Sequence, residues 1–198
     1  RMFNHCGSLW EAIQVFDGIR NPSVFTWNAL ISAHTMHEEA TEAIRLYSEM
    51  RCSNVCPDEH VFVAALKACV KAEALSDGML VHTDIVFSLF EPNSHVSNIL
   101  VDMYMKCGLL DMAQKVFDKL SIRNEVSWSA LIGGYLVQGY CQTALECFKK
   151  MQIEHVSPDV VTFMAVLKAC ANIGAIDKGK QIHDEIATLG LLNKDVVL

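Results

Sequence analysis

Long apolar runs are missing from this sequence. Hydrophobic residues make up 52% of its 198 positions. Charged residues nevertheless break every stretch short of the roughly 18–20 apolar residues that a membrane span requires. The opening "RMFNHCGSLW" has no basic segment followed by an apolar core, so no secretory leader is legible there. Basic residues are the minority: 16 Lys and Arg stand against 23 Asp and Glu, a net charge of −7. That balance speaks against a broadly basic, phosphate-binding surface, although a chain average does not report on any one groove. A cysteine framework is also lacking. Eight cysteines are present without a CxxC; Cys52 and Cys56 are four apart, Cys141 and Cys147 six apart, and these spacings support neither a zinc site nor a disulfide scaffold. Cys6 and Cys107, and likewise Cys69 and Cys170, lie 101 residues apart. Cysteines that recur at a fixed distance read as small buried packing residues in a reducing compartment.

Catalytic signatures are absent as well. There is no G-x-x-x-x-G-K-[ST] and no Gly-x-Ser-x-Gly. His183-Asp184-Glu185 matches the H-x-E half of a zinc deaminase signature, but no P-C-x-x-C follows before Leu198. One period earlier stand His82-Thr83-Asp84, so this histidine belongs to a repeat rather than to a metal site. "HEEAT", from His37, lacks the second histidine of H-E-x-x-H. Glu38, Glu39 and Glu42 read as a solvated helix face. No catalytic residue, metal, cofactor, small-molecule substrate or membrane contact is expected of this stretch.

What the sequence does contain is itself, twice. "VFTWNALISAHTM", from Val24, returns as "EVSWSALIGGYLV" from Glu125, 101 residues on. The same shift aligns "CGSLWEAIQVFD" with "CGLLDMAQKVFD", "FVAALKAC" with "FMAVLKAC", and Pro57-Asp58 with Pro158-Asp159. The period divides into units at 24–58, 59–93 and 94–124, of 35, 35 and 31 residues, and restarts at 125–159 and 160–195. Residues 1–23 read as the tail of a short unit and 196–198 as the start of another, so the chain is expected to begin and end inside repeats.

Each unit reads as two helices. Leu30, Ile31 and His34 form one stripe; Ala43, Ile44, Leu46, Tyr47 and Met50 form a second. Small residues recur where helices must come close: Ala29, Ala43, Ala113, Ala130 and Ala144. Proline pushes the residue before it out of helix, so Pro57 and Pro158 punctuate the unit ends. Gly7, Gly108 and Gly174 fall between paired helices, where a positive φ costs glycine nothing. No run alternates with period two. A pair of short helices cannot bury its own apolar face, whereas stacked pairs can. The expected fold is therefore all-α, a right-handed superhelical α-solenoid of helix-turn-helix repeats with a concave surface.

The phrases "TWNALIS…EAIRLYSEM…CPD", "VSNILVDMYMKCGLLDMAQKVFDKLSIRN" and "VTFMAVLKACANIGAIDKGKQIH" resemble pentatricopeptide repeats. The 35-35-31 alternation resembles the long-and-short triplet subclass of land plants, which makes 24–58 and 125–159 P-type repeats, 59–93 and 160–195 L-type, and 94–124 S-type. The resemblance covers essentially the whole chain. It implies sequence-specific binding of single-stranded RNA in a mitochondrion or chloroplast, one base per repeat. The subclass further implies specification of C-to-U editing sites, with editing-complex proteins as partners and any deaminase-like domain outside this chain. Solenoids of similar build bind proteins instead, and a protein-binding scaffold is the alternative.

The resemblance also implies which residues read bases: the fifth and the last of each repeat. The pairs are Asn28 with Asp58, Asn98 with Asn124, and Ser129 with Asp159. An Asp58 that accepts from the Asn28 amide leaves the Asn28 carbonyl for uracil N3–H. An Asn124 that donates to the Asn98 carbonyl leaves the Asn98 amide for cytosine N3. Ser129 is short enough for a purine, and beside Asp159 the family pattern favours guanine. Val63 and Met164 hold the fifth place in the L-type repeats and offer a base edge nothing. The expected RNA order is U, any, C, G, with its 5′ end at the N-terminal repeat. Base stacking falls to the second residues, Phe25, His60, His95, Val126 and Val161. The plainer reading makes Asp58 and Asp159 helix N-caps and leaves Asn28 on a polar face. Lys67, Lys71, Lys106, Lys168 and Lys178 are the candidate phosphate contacts.

Overall fold

The computed structural model describes residues 9–88 and 94–190. Cys6, Gly7 and the short unit expected from residue 196 lie outside them. Eleven α-helices and no strand occur among the described residues. They are α1 (Leu9–Asp17), α2 (Val24–Met36), α3 (Ala40–Cys52), α4 (Glu59–Lys71), α5 (Leu75–Phe87), α6 (Ser94–Lys106), α7 (Leu110–Asp118), α8 (Glu125–Val137), α9 (Cys141–Ile153), α10 (Val160–Asn172) and α11 (Ile176–Thr188). The even-numbered helices from α2 to α6, then α8 and α10, begin at residues 24, 59, 94, 125 and 160.

Two kinds of helix start alternate, and each has a local cause. Four first helices carry a side-chain N-cap: Ser23 accepts from Thr26 N–H, Asp58 from Val61, Asn124 from Ser127 and Asp159 from Thr162. Such caps satisfy backbone donors that the first turn leaves open. The second helices α3, α5, α7, α9 and α11 have no side-chain cap. Each follows instead a residue in left-handed backbone: Glu38, Glu73, Gly108, Gly139 or Gly174. The next N–H then reaches back five residues, from Glu39 to His34, Ala74 to Cys69, Leu109 to Tyr104, Tyr140 to Tyr135 and Ala175 to Cys170. This is a Schellman closure, which ends one helix and reverses the chain into the next. Gly108 and Gly174 have the positive φ expected of them.

The chain divides into two compact units, residues 1–103 and 104–198. In the first, α2 packs on α3 and α4, and α4 on α3 and α5. Ile31, Ala43, Tyr47, Met50, Phe62 and Leu66 form its dry centre. Burying each large apolar side chain contributes about 1.5–3 kcal/mol. The successive hairpins are tied by Asp84 of α5, which accepts from the Tyr47 hydroxyl at 2.7 Å and pairs with Arg51 Nε at 2.6 Å. In the second, α8 packs on α9 and α10, and α10 on α9 and α11. Trp128, Ile132, Ala144, Phe148, Met151, Phe163 and Val166 fill that core. The equivalent tie is Gln152 Nε2 donating to both Glu185 oxygens at 3.0 and 3.1 Å. Ala43, Ala113 and Ala144 are fully buried, so neighbouring helices approach where no larger side chain would fit.

Cys69, Cys141, Cys147 and Cys170 are buried free thiols, whereas Cys52 and Cys56 are exposed. Burial pushes the Cys147 thiol up to about 11 and raises that of Cys170. Among the described residues no helix is long and apolar enough to cross a membrane. No cluster of three metal-ligating side chains occurs among them either.

Candidate functional site

A helix that starts at a fixed point of its repeat fixes what its first turn displays. The second residue of each first helix is exposed: Phe25, His60, His95, Val126 and Val161. Phe25 is 71% exposed and Val161 63%, far above what packing alone leaves to such side chains. The third residue turns the other way in four of the five: Val61, Val96, Ser127 and Thr162 are fully buried, while Thr26 is half-buried. The fifth residue varies from copy to copy. Asn28 and Ser129 are half-buried, Asn98 is 6% exposed, Val63 is half-buried and Met164 is exposed.

In the second unit, the fifth residue of one repeat meets the last residue of the same repeat. The Ser129 hydroxyl donates to Asp159 Oδ1 at 3.0 Å. The same carboxylate oxygen caps α10, taking Thr162 N–H at 2.7 Å and the Thr162 hydroxyl at 2.7 Å. Ser129 Oγ also lies within hydrogen-bond reach of Thr162 Oγ1. Partial burial works against the ionised form of Asp159. The Thr162 hydroxyl and N–H and the Ser129 hydroxyl outweigh that, and hold its carboxyl below the usual range. The cap and the pair are thus one device: α10 fixes Asp159, and Asp159 fixes Ser129.

The first unit arranges the equivalent residues differently. Asp58 Oδ1 takes Val61 N–H at 3.0 Å. Asn28 Oδ1 accepts the Ser32 hydroxyl at 3.3 Å, one helical turn on. The expected donation from the Asn28 amide to Asp58 is not made; the cap and the i,i+4 bond take their places. Asn124 closes a capping box at the start of α8: its Oδ1 accepts from Ser127 N–H at 3.0 Å, and its own N–H donates to Ser127 Oγ at 2.9 Å. The N-cap role and the pairing role therefore coexist at Asp159, while Asp58 displays the cap alone.

The candidate cations differ in setting. Lys67, Lys106 and Lys168 are exposed; the Lys71 ammonium donates to the Thr35 carbonyl at 2.7 Å. Lys178 is half-buried, and that burial, together with neighbouring Lys149, lowers its pKa.

One feature escaped the sequence reading. Behind each Trp of the repeated phrase is a recess, with Phe16 or Phe117 edge-on to the indole at 4.7 Å in both copies. Trp27 borders an open recess of about 480 Å³ beside Ser48, Glu49 and Cys52. Trp128 borders one of about 80 Å³. There the Arg123 guanidinium lies 5.0 Å from the centre of the Phe117 ring and pairs with Glu154 at 2.7 Å. Pro22 stands where Arg123 would be in the first copy, so that copy has no such lid. Both indole N–H groups are buried and find no hydrogen-bond partner among the described residues.

Comparison with known proteins places this geometry. A family model described as the PPR repeat family matches residues 22–71 and 123–172, and one described as the PPR repeat matches 96–124. A putative pentatricopeptide repeat-containing protein of Arabidopsis thaliana is 37% identical over 191 residues, 96% of this chain and 28% of that protein. A second from the same plant, named as mitochondrial, is 34% identical over 188 residues, 94% of this chain and 24% of its own length. The chain thus spans about a quarter of these relatives. Among solved structures, the repeat protein PPR10 in complex with an 18-nucleotide psaJ RNA element is similar with a TM-score of 0.77. Identity is 20%, over 91% of this chain and 27% of that one. The repeat domain of Arabidopsis thaliana protein-only RNase P 1, in complex with tRNA, is similar with a TM-score of 0.68 and 19% identity, over 80% and 86% of the two chains. At these identities the likeness is one of fold, that of an α-solenoid.

Proposed function

Since the chain belongs to the pentatricopeptide repeat family, we propose that it binds single-stranded RNA and reads bases through the fifth and last residues of its repeats. The observation that carries this is the Ser129–Asp159 contact, flanked by the exposed Val126 and Val161. A polar pair held by a helix cap meets a base edge without reorganising, and the flanking side chains hold the ring faces. Unstacked bases of single strands are recognised in this way, by stacking and by hydrogen bonds to their Watson–Crick edges.

The finer reading follows the alternation of repeat lengths. The chain is part of a triplet-type array that specifies a C-to-U editing site in a mitochondrion or chloroplast, with editing-complex proteins as partners. Asn28 with Asp58 reads U, Asn98 with Asn124 reads C, and Ser129 with Asp159 reads G. Repeats with Val63 and Met164 accept any base. RNA-bound solenoids of the same fold and relatives from a plant support RNA binding; a relative named as mitochondrial supports the compartment.

The experiment is a salt titration. Binding of the chain to RNA with the U-any-C-G order should weaken as salt rises, in proportion to the phosphates contacted. Binding should also weaken when the G is changed. Salt-insensitive association with protein, and none with RNA, would favour the scaffold reading, to which the net charge of −7 lends weight.

A further inference from the structure

Thr162 belongs to neither reading place. It is the third residue of the following repeat, wholly buried, and its equivalents are the half-buried Thr26 and the buried Val61, Val96 and Ser127. Its hydroxyl is nevertheless the nearest partner of both members of the pair. It donates to Asp159 Oδ1 at 2.7 Å and lies within hydrogen-bond reach of Ser129 Oγ. Ser129 donates into the same cluster, on Asp159 Oδ1 at 3.0 Å. Two hydroxyls have two protons between them, and both are spent inside the cluster. What Ser129 Oγ has left for a ligand is lone pairs.

We propose that Thr162 is a specificity-determining positioning residue: it keeps the Ser129 proton turned inward, so that the pair presents acceptors and selects a base edge made of adjacent donors. This rests on the RNA-binding reading above and deepens it. Guanine alone among the four bases presents two neighbouring donors, N1–H and N2–H, on its Watson–Crick edge. Adenine and cytosine put a ring acceptor beside their amino group, and uracil puts carbonyls on both sides of its single N–H. An acceptor-only pair therefore leaves a buried mismatch with any base but guanine, and unmatched polar groups are what reject a wrong ligand most strongly.

The other junctions indicate that the third residue is a variable setting. Val61 brings no hydroxyl, and Asp58 Oδ1 there receives only the backbone N–H while Asn28 turns to Ser32. Ser127 has a hydroxyl but spends it on the Asn124 backbone, donating to the carbonyl at 2.8 Å. At the Ser129–Asp159 junction, Thr162 is joined to both reading side chains. The depressed pKa of Asp159 is consistent with this convergence of donors on one oxygen.

The test uses the whole chain and RNA oligonucleotides that differ only in G or A at the position assigned to Ser129 and Asp159. Wild type should prefer G. Thr162→Val should lower the G-to-A preference by roughly three- to tenfold, the worth of one hydrogen bond. Thr162→Ser, which keeps the hydroxyl, should restore it. Valine is the native residue at the equivalent Val61, so the variant is expected to fold, and thermal melting checks this; if it unfolds, Thr162→Ala takes its place. A second readout is the NMR titration of the Asp159 carboxyl, which should move upward in the Val variant and return in the Ser variant. If wild type discriminates and Thr162→Val discriminates equally, the positioning role is overturned and the reading of RNA stands. If wild type shows no preference between G and A, the reading itself falls, and this inference with it.

Discussion

The two copies of the repeated stretch, residues 22–73 and 123–174, have one fold and two levels of finish. At the left-handed turn between paired helices, the first copy has Glu38 and Glu73; the second, 101 residues on, has Gly139 and Gly174. Left-handed backbone costs an L-residue about 1–2 kcal/mol and glycine almost nothing. Behind the repeated Trp, the first copy leaves an open recess, and the second closes it with Arg123. At the proposed reading pair, the first copy has Asn28 bonded to Ser32 and Asp58 to Val61 N–H, and the second has Ser129, Asp159 and Thr162 joined. At the end of the first helix, buried His34 donates to Glu39 at 2.9 Å; its equivalent Tyr135 donates to Gln114 at 2.9 Å. The hydrophobic pattern alone is enough to set the fold, and the polar details then vary freely from copy to copy. Those details are where a repeat acquires its individual function.

Breaking the comparison at the Trp should give the largest effect. Trp128→Ala should cost about 3–5 kcal/mol, the usual range for truncating a buried Trp. Trp27→Ala should fall near the lower end, because its surroundings are already open. Denaturant melts of the two variants side by side measure the difference. Next comes Gly134→Ala, whose added Cβ would stand 2.4 Å from Met105 Cγ. Overpacking of that kind costs about 1–3 kcal/mol, more than alanine's helix propensity returns. At the equivalent Ala33 the reverse change to Gly should lose only about 0.5–1 kcal/mol, and the same melts rank the two.

Smaller effects sharpen the contrast. Glu38→Gly and Glu73→Gly should each stabilise the chain by about 0.5–1 kcal/mol, by removing left-handed strain at a flexibility cost. Gly139→Glu and Gly174→Glu should destabilise it; shifts in thermal midpoint decide both. Acid adds a subtler test. The folded-state pKa of Asp159 lies below the ordinary aspartate value of about 3.9. Its contribution is therefore complete above that value and is lost as pH falls through the lower folded pKa. Stability profiles between pH 5 and about 2 should flatten at the acid end in Thr162→Val. Smallest in energy is thiol labelling of the native chain. Cys52 and Cys56 should react with a maleimide at once, while Cys69, Cys141, Cys147 and Cys170 stay protected until unfolding.

Much of the fold was legible because burial imposes its period on the sequence. The Ile31 and Met50 stripes had to be apolar in both copies, and the alanines had to stay small. Gly108 and Gly174 announced their turns. Glu38 and Glu73 did not, since nothing in a glutamate signals left-handed backbone; only alignment with Gly139 and Gly174 points to it. The candidate pairs could be placed from the sequence, but their bonding could not. Ser129 and Asp159 meet as the family resemblance implies, whereas Asn28 bonds Ser32, a competitor one turn away that a reading of paired places does not weigh. Thr162 was missed because nothing in its third place marks it out: the equivalents are Thr26, Val61, Val96 and Ser127, and none of them was read as part of the site. The signal was a hydroxyl three residues after an N-cap acid, where the other capping acid, Asp58, is followed by Val61. The Arg123 lid was missed because Pro22, its equivalent, gives no hint of it.

The most direct test makes the second copy resemble the first. Ser129→Asn creates the side-chain pair found at Asn28 and Asp58, in a repeat already shown to hold its cap. Measured against RNAs with each of the four bases at that one position, preference should move from G to U there, with affinity elsewhere unchanged. An unchanged preference, or a loss equal for all four bases, would contradict the claim that these polar pairs read RNA.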